Sequence, residues 1–154
     1  MMKRSAGLLV YRLKDEQVEV FLAHPGGPFW AKKDAGAWSI PKGEFEGEEP
    51  LKAAIREFQE ETGRKITGEF VELRPIKQKG GKMVYAWAVE ADFNAAEIES
   101  NTFELEWPPK SGVVKEYPEV DRAEWFDLKT AKVKILASQM ELLDQLAEFP
   151  ELRS

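Results

Sequence analysis

The chain has no cysteine among its 154 residues and only one histidine, His24. Without thiols there can be no disulfide, thiolate metal site or cysteine nucleophile, and one imidazole cannot build a multi-histidine zinc centre. A bound metal would have to be held through oxygen. Long hydrophobic runs are missing as well. The longest, near residues 7–11 and 18–23, are strand-sized and interrupted by charge. They are too short for a membrane span, and the run after Lys3 and Arg4 is too short for a secretory signal. Positive charge is in deficit, with 22 Lys and Arg against 28 Asp and Glu, a formal net charge of −6. That argues against binding duplex nucleic acid through a broad basic face, although a local basic pocket survives the objection. What remains, at 43% hydrophobic and 32% charged residues, is the composition of a cytoplasmic globular protein with one domain over residues 1–154.

Two runs, residues 5–12 and 18–24, are rich in leucine and β-branched residues and flank the charged turn 14–17, which predicts a β-hairpin. A Gly- and Pro-rich stretch of about fifteen residues follows, from His24 to Trp38, of a length that in compact domains is often functional. The period then changes. Leu51, Ala54, Ile55 and Phe58 fall at i, i+3, i+4 and i+7, Pro50 suits a first helical turn, and Gly63 is a standard stop, so residues 50–62 read as an amphipathic helix. Residues 69–78 and 82–93 read as strands around the turn 79–81, residues 94–100 as a polar loop or helical turn, and 103–107 and 123–126 as short strands. Between those last two lies an expected loop holding Pro108, Pro109 and Pro118. Residues 128–149 carry apolar side chains at helical spacing and predict one long helix or two. The sum is an α+β or α/β sandwich.

The helix at 50–62 has a second face. Glu57, Glu60 and Glu61 lie at i, i+3 and i+4, so three carboxylates converge within about one turn and destabilise an isolated helix. Arg56, four residues before Glu60, can pair with it or with Glu48. A hard divalent cation offsets such repulsion far more, and Mg²⁺ prefers carboxylate oxygens shared with substrate phosphates. Taken alone, three glutamates fit a solvated acidic face better than a metal site.

The wider stretch sets Gly43, Glu48, Arg56, Glu57, Phe58, Glu60, Glu61 and Gly63 in one pattern. It resembles the Nudix box: Gly, five residues, Glu, seven residues, then Arg-Glu-aliphatic-any-Glu-Glu-any-Gly-aliphatic. Two departures stand out. Only four residues separate Gly43 from Glu48, and Arg64 occupies the last aliphatic position. Counting from Gly43 to Glu49 restores the first spacer but shortens the second to six, which would rotate the helix face, so Glu48 is the preferred box glutamate. The early hairpin, the Trp38-Ser39-Ile40-Pro41-Lys42-Gly43 lead-in, residues 123–126 and a C-terminal helix extend the resemblance beyond the box.

The resemblance implies a Nudix-type α/β/α sandwich with a mixed central sheet. It implies a metal-dependent hydrolase, using Mg²⁺ or Mn²⁺, that cleaves a diphosphate linkage in a nucleoside triphosphate, dinucleoside polyphosphate or similar small nucleotide. Carried onto this chain, Glu60 and Glu61 are metal ligands, Glu57 a ligand or the general base, and Glu48 a second ligand or the partner of Arg56. The Lys42 backbone carbonyl would complete the shell. Glu119 is a candidate extra catalytic or ligand residue, with Glu116 a poorer one. Phe29 and Trp30 are candidates for stacking on a base, and Lys32, Lys33 and Lys42 for contacting phosphate. Trp38, Trp87 and Trp125 read as core and His24 as structural. The competing expectation is a Nudix-fold module that senses a nucleotide without cleaving it. Oligomeric state stays open between monomer and homodimer.

Overall fold

The computed structural model describes residues 3–152. The first two strands, β1 (Arg4–Lys14) and β2 (Gln17–Pro25), form the expected hairpin. Asp15 and Glu16 between them both take positive φ, at 50° and 67°, the left-handed pair that matches a two-residue hairpin loop to strand twist. The strands then separate. Beyond Tyr11↔Val20, β2 leaves β1 while its other edge stays paired with β9 (Val120–Asp127) from Glu19 to Pro25, and β3 (Lys42–Glu44) takes the place beside Ser5–Gly7. On its other edge β1 pairs in parallel with β6 (Met83–Glu90), which also carries the two-residue strands β4 (Val71–Glu72) and β5 (Ile76–Lys77). The sheet is therefore mixed, in the order β4-β6-β1-β2-β9.

Both faces of this sheet are covered, and β1 shows why. Ala6, Leu8 and Val10 point to one side, where Phe21, Ala53, Ala54 and Phe58 pack. Leu9 and Tyr11 point to the other, against Leu22, Trp38, Leu142, Leu143 and Leu146. A strand buried on both faces reads as a continuous apolar run rather than an alternation, as residues 7–11 do. Helix α1 (Pro50–Thr62) forms one outer layer, and α2 (Leu128–Lys134) with α3 (Met140–Ala147) the other. This is the α/β/α sandwich with a mixed sheet that the resemblance implies.

Two local expectations are corrected and one open choice is decided. The strand expected at 69–78 exists only as β4 and β5, broken at Pro75, which has no N–H to give to a ladder. The Pro-containing loop between residues 107 and 123 holds another strand: β7 (Thr102–Glu106) and β8 (Val114–Pro118) pair as a separate two-stranded sheet. Of one long C-terminal helix or two, the structure has two. Ile135 leaves helical geometry at φ −74° and ψ 150° to form a bridge with Trp38.

Candidate active site

Helix α1 starts at Pro50 and ends at Thr62, capped by Gly63, whose φ of 79° lets its N–H reach the Gln59 carbonyl at 2.7 Å. Ala53, Ala54, Phe58 and Thr62 are its buried positions, and Arg56, Glu57, Glu60 and Glu61 lie along the flank that runs past Ala53. Arg56 sits at the centre of a network. Its Nε donates to both Glu48 oxygens at 3.1 and 3.0 Å, its Nη2 to Glu48 Oε1 at 2.6 Å, and its Nη1 to Glu57 Oε1 at 3.0 Å and Glu60 Oε2 at 2.9 Å. Glu48 makes this pairing, while Glu49 caps the helix without a side-chain bond. The shortened loop before it is accommodated at Gly47, which turns through φ 74°. Binding to Arg56 holds the Glu48 carboxyl below its ordinary value.

Strand β3 brings the lead-in loop against this flank. Gly43 lies so close to Glu57 that no larger residue fits without moving the carboxylate, and the Glu57 side chain is only 12% exposed. Burial, and then the charge of Glu60, raise the Glu57 carboxyl above its usual range despite Arg56. Glu61 lies outside the network of Arg56. Its carboxyl is pushed up to about 8, first by burial and then by Glu57 and Glu119, with Lys42 acting in the other direction. The Lys42 ammonium is itself lowered, first by burial and then by Lys82.

Glu119 stands between β8 and β9, tied down by its N–H to the Asn101 carbonyl (2.8 Å) and by its carbonyl to the Gly26 N–H (2.9 Å). Asn101 in turn donates its N–H to the Glu60 carbonyl at 2.9 Å, which sets Glu119 beside the end of α1, and the Glu119 carboxyl is raised, by desolvation first and by Glu60 second. Glu116 instead accepts a hydrogen bond from Thr102 within the β7–β8 hairpin. The structure thus brings Glu48, Arg56, Glu57, Glu60, Glu61, Glu119 and the Lys42 segment together and leaves Glu116 apart.

Oxygen donors, close mutual repulsion and a half-buried carboxylate lacking an arginine partner make a donor set suited to a hard divalent cation. Among the described residues no three carboxylate or imidazole groups are already gathered in ligand positions. Arg56 engages one oxygen of Glu57 and one of Glu60, which leaves the second oxygen of each carboxylate for a cation.

The aromatic candidates divide. Trp38 is buried, its Nε1 donating to Asp34 Oδ1 at 2.8 Å. Trp87 and Trp125 are half-buried against the α1-side core, and the Trp125 indole donates to the Phe93 carbonyl. Phe29 is 53% exposed and meets Trp30 edge-on at 5.1 Å. The Lys33 ammonium rests 3.8 Å over the Phe29 ring, and Lys32 is exposed. His24 is fully buried between two oxygens, with Nδ1 at 2.8 Å from Asp121 Oδ1 and Nε2 at 2.7 Å from the Lys33 carbonyl. It fastens the Gly/Pro loop to the start of β9. Sequence reasoning missed Phe103 and Leu105, which face Phe29 and Trp30 across a pocket. Their alternation with Thr102, Glu104 and Glu106 was the available signal. Arg64, at the departing position, lies with its guanidinium 4.9 Å over Phe93, so it covers an apolar ring there as an aliphatic side chain would.

A family model described as the NUDIX domain matches residues 1–146. The chain belongs to the Nudix family, a class of diphosphohydrolases. Its fold is similar to that of a Caenorhabditis elegans Ap4A hydrolase in a binary complex, at 23% identity over 95% of this chain and 96% of that one, with a TM-score of 0.64. It is also similar to the NUDIX domain of Shewanella oneidensis NrtR complexed with ADP ribose, at 16% identity, 96% and 88% coverage and a TM-score of 0.68. A structure from work on MutT of Aliivibrio salmonicida and Vibrio cholerae matches at 17% identity, 96% and 98% coverage and a TM-score of 0.59. No curated protein matches by sequence. No helix among the described residues is long and apolar enough to cross a membrane.

Proposed function

We propose that this protein is a cytoplasmic enzyme that hydrolyses a diphosphate linkage in a small nucleotide, a nucleoside triphosphate, dinucleoside polyphosphate or similar compound, with Mg²⁺ or Mn²⁺. The observation that carries the reading is the convergence of Glu57, Glu60, Glu61 and Glu119 beside the lead-in loop, with Glu61 held near pKa 8 by burial and by its neighbours. A carboxylate in that position is best satisfied by a cation shared with substrate phosphates. Glu60, Glu61 and Glu57 would hold it, with Glu48 and the Lys42 carbonyl as further ligands. The bound ion would neutralise phosphate charge and lower the pKa of an attached water.

The remaining work falls to the chain. Arg56 positions Glu48, Glu57 and Glu60 through its hydrogen bonds. Water attacks phosphorus, the anhydride P–O bond breaks, and the water proton passes to a carboxylate, for which Glu57 and Glu119 have raised affinities suited to a general base. The Lys42 ammonium supplies positive charge at the phosphates, and the Phe29–Trp30 loop is the base-binding side.

The NrtR likeness keeps a non-cleaving nucleotide sensor in view, but all four box glutamates and Arg56 are present here, and Arg56 joins Glu48, Glu57 and Glu60, which supports catalysis. The test is product release from a panel of canonical and oxidised triphosphates, dinucleoside polyphosphates, ADP-ribose and nucleotide sugars, with Mg²⁺ or Mn²⁺ and an EDTA control. Metal-dependent cleavage of one class, abolished in folded Glu57→Gln and Glu60→Gln variants, is expected. Metal and nucleotide binding with no turnover across the panel would favour the sensor. Full activity in either variant would overturn the site assignment.

A further inference from the structure

Away from the α1 carboxylates, the other end of β1 opens on a pocket of about 680 Å³. Tyr11 forms its floor. It stands four residues beyond Gly7, roughly 13 Å along the strand from the contact with β3, on the face that turns away from α1. The ring packs in the α2–α3 core, and the residue is only 7% exposed. Its hydroxyl meets no hydrogen-bond partner among the described residues, and what is left uncovered faces the pocket. Glu90 lies beside it in register on β6 and so points to the same face. Glu69, just before β4, and Glu151, on the turn Pro150–Leu152, complete the rim. Burial, and then the charges of Glu90, Glu151 and Glu69, raise the Tyr11 hydroxyl above its ordinary range, so all three carboxylates act on one oxygen.

The charge there is unbalanced. Arg12, the one basic side chain lining the pocket, is already held by Glu19 at 2.7 Å and Asp92 at 2.9 Å. Glu69, Glu90 and Glu151 are exposed and pair with no basic group among the described residues. Part of the wall is apolar: Leu13 and Val71 reach the surface here, 48% and 37% exposed.

We propose that this pocket binds a small aliphatic polyamine, a hydrocarbon chain carrying two or three ammonium groups, with one ammonium on the Tyr11 hydroxyl and the chain along Leu13 and Val71. Each part of the pocket meets a part of that ligand. A phenol oxygen accepts a hydrogen bond from an ammonium, and this hydroxyl has no protein partner among the described residues to compete for it. The carboxylates supply the opposite charge, and hydrogen bonds between ionised groups are the stronger kind. Methylene groups between the charges cover the exposed leucine and valine, which water would otherwise wet. A bare metal ion fits less well. Its ligand oxygens must converge within about 2.6 Å of one point, and among the described residues no three carboxylates do so. The volume lies within the roughly 300 to 1,000 Å³ of small-molecule pockets. This site goes beyond the hydrolase reading and does not depend on it.

Heteronuclear NMR titrations of the full chain test this, with saturating Mg²⁺ to compete at the α1 carboxylates and no nucleotide present. They would compare putrescine, spermidine and butanediol, the last having the chain of putrescine without its charges. Backbone amide shifts are expected at Tyr11, Leu13, Val71 and Glu90, with spermidine binding tighter than putrescine and butanediol leaving them unmoved. Tyr11→Phe keeps the ring that packs in the core and removes only the hydroxyl. It should weaken spermidine at least about threefold, as losing a hydrogen bond to a charged group does. Glu90→Gln, at an exposed position, should weaken it about twofold to fivefold, the scale of a surface ion pair. Spermidine affinity unchanged in both variants, or shifts spread evenly over the acidic surface, would overturn the proposal. Butanediol moving the same amides as strongly would do so too, because the pocket would then be reading the chain and not the charge. Ca²⁺ in place of the amine is expected to leave the Tyr11 amide unmoved. The same amides shifting at equal Ca²⁺ concentration would reassign the pocket to a metal ion. None of these readouts involves turnover, so each outcome bears on the pocket whether or not the nucleotide panel is hydrolysed.

Discussion

The backbone of Gly43 lies against the Glu57 carboxylate: a Cβ added at Gly43 would meet Oε2 at 2.1 Å, Cδ at 2.2 Å and Oε1 at 2.5 Å. All three contacts are to the end of one side chain, so Gly43→Ala can be accommodated by moving Glu57 rather than the fold. Activity should fall by roughly tenfold to a hundredfold, the range seen when a residue supporting a metal ligand is changed. The melting temperature should shift by only a few degrees. Steady-state kinetics with a calorimetric scan checks both. Retained activity would mean that Glu57 has no fixed position to lose.

Arg56 is the hub for Glu48, Glu57 and Glu60, and its fork satisfies all three carboxylates at once. A lysine has one compact charge and cannot reproduce that geometry. Arg56→Lys should lower kcat/KM by about tenfold to a hundredfold, with metal titration showing a weaker apparent affinity. In EDTA the variant should also melt below the parent, because the carboxylates repel without their shared partner. Adding Mg²⁺ should restore part of that loss. An unchanged melting temperature in EDTA would show the network to be a minor contact.

Helix α1 was legible to the residue because Pro50, the apolar stripe and Gly63 agree, and the same stretch carried the motif. The breaks were not. Ile135 sits in an unbroken helical pattern with neither Gly nor Pro nearby, and its extended geometry comes from pairing with Trp38, nearly a hundred residues away in sequence. Strand β8 escaped because it has no buried face to impose alternation, its residues being exposed apart from Tyr117. The three-way grip of Arg56 was half legible: the spacing to Glu60 and the link to Glu48 were readable, the bond to Glu57 was not. The sequence ranked Glu119 above Glu116 by its place before residues 123–126, but it did not show what surrounds either. Only the pairing of β7 with β8 turns one toward Thr102 and leaves the other beside α1.

That difference is itself testable. Glu119→Gln should lower kcat by about a hundredfold or more if its carboxylate takes the water proton, since general bases contribute roughly 10²- to 10⁴-fold. If it serves only as an added ligand, the loss should shrink at high Mn²⁺. Glu116→Gln, which removes a bond confined to the hairpin, should leave kcat near the parent value. Equal effects of the two substitutions would undo the separation that the structure makes between them.

Glu61 links the site to stability. With its carboxyl at about 8 in the folded chain against an ordinary 4.5, the folded state keeps a proton that the unfolded state releases between those values. Folding is then favoured at low pH, and in EDTA stability should decline as pH rises from about 5 to 8. Glu61→Gln removes the ionisation, so its melting temperature should be less dependent on pH over that window and should exceed the parent's by several degrees at pH 8. Saturating Mg²⁺ should reverse the parent's decline, because a ligand that binds only the folded state stabilises it by an amount that grows with the logarithm of its concentration over Kd, while the variant should gain less. Melting curves at four or five pH values, with EDTA or Mg²⁺, decide the matter. A parent that is most stable at pH 8 in EDTA would show that Glu61 is ionised and internally paired, and the carboxylates would then offer no driving force for cation binding.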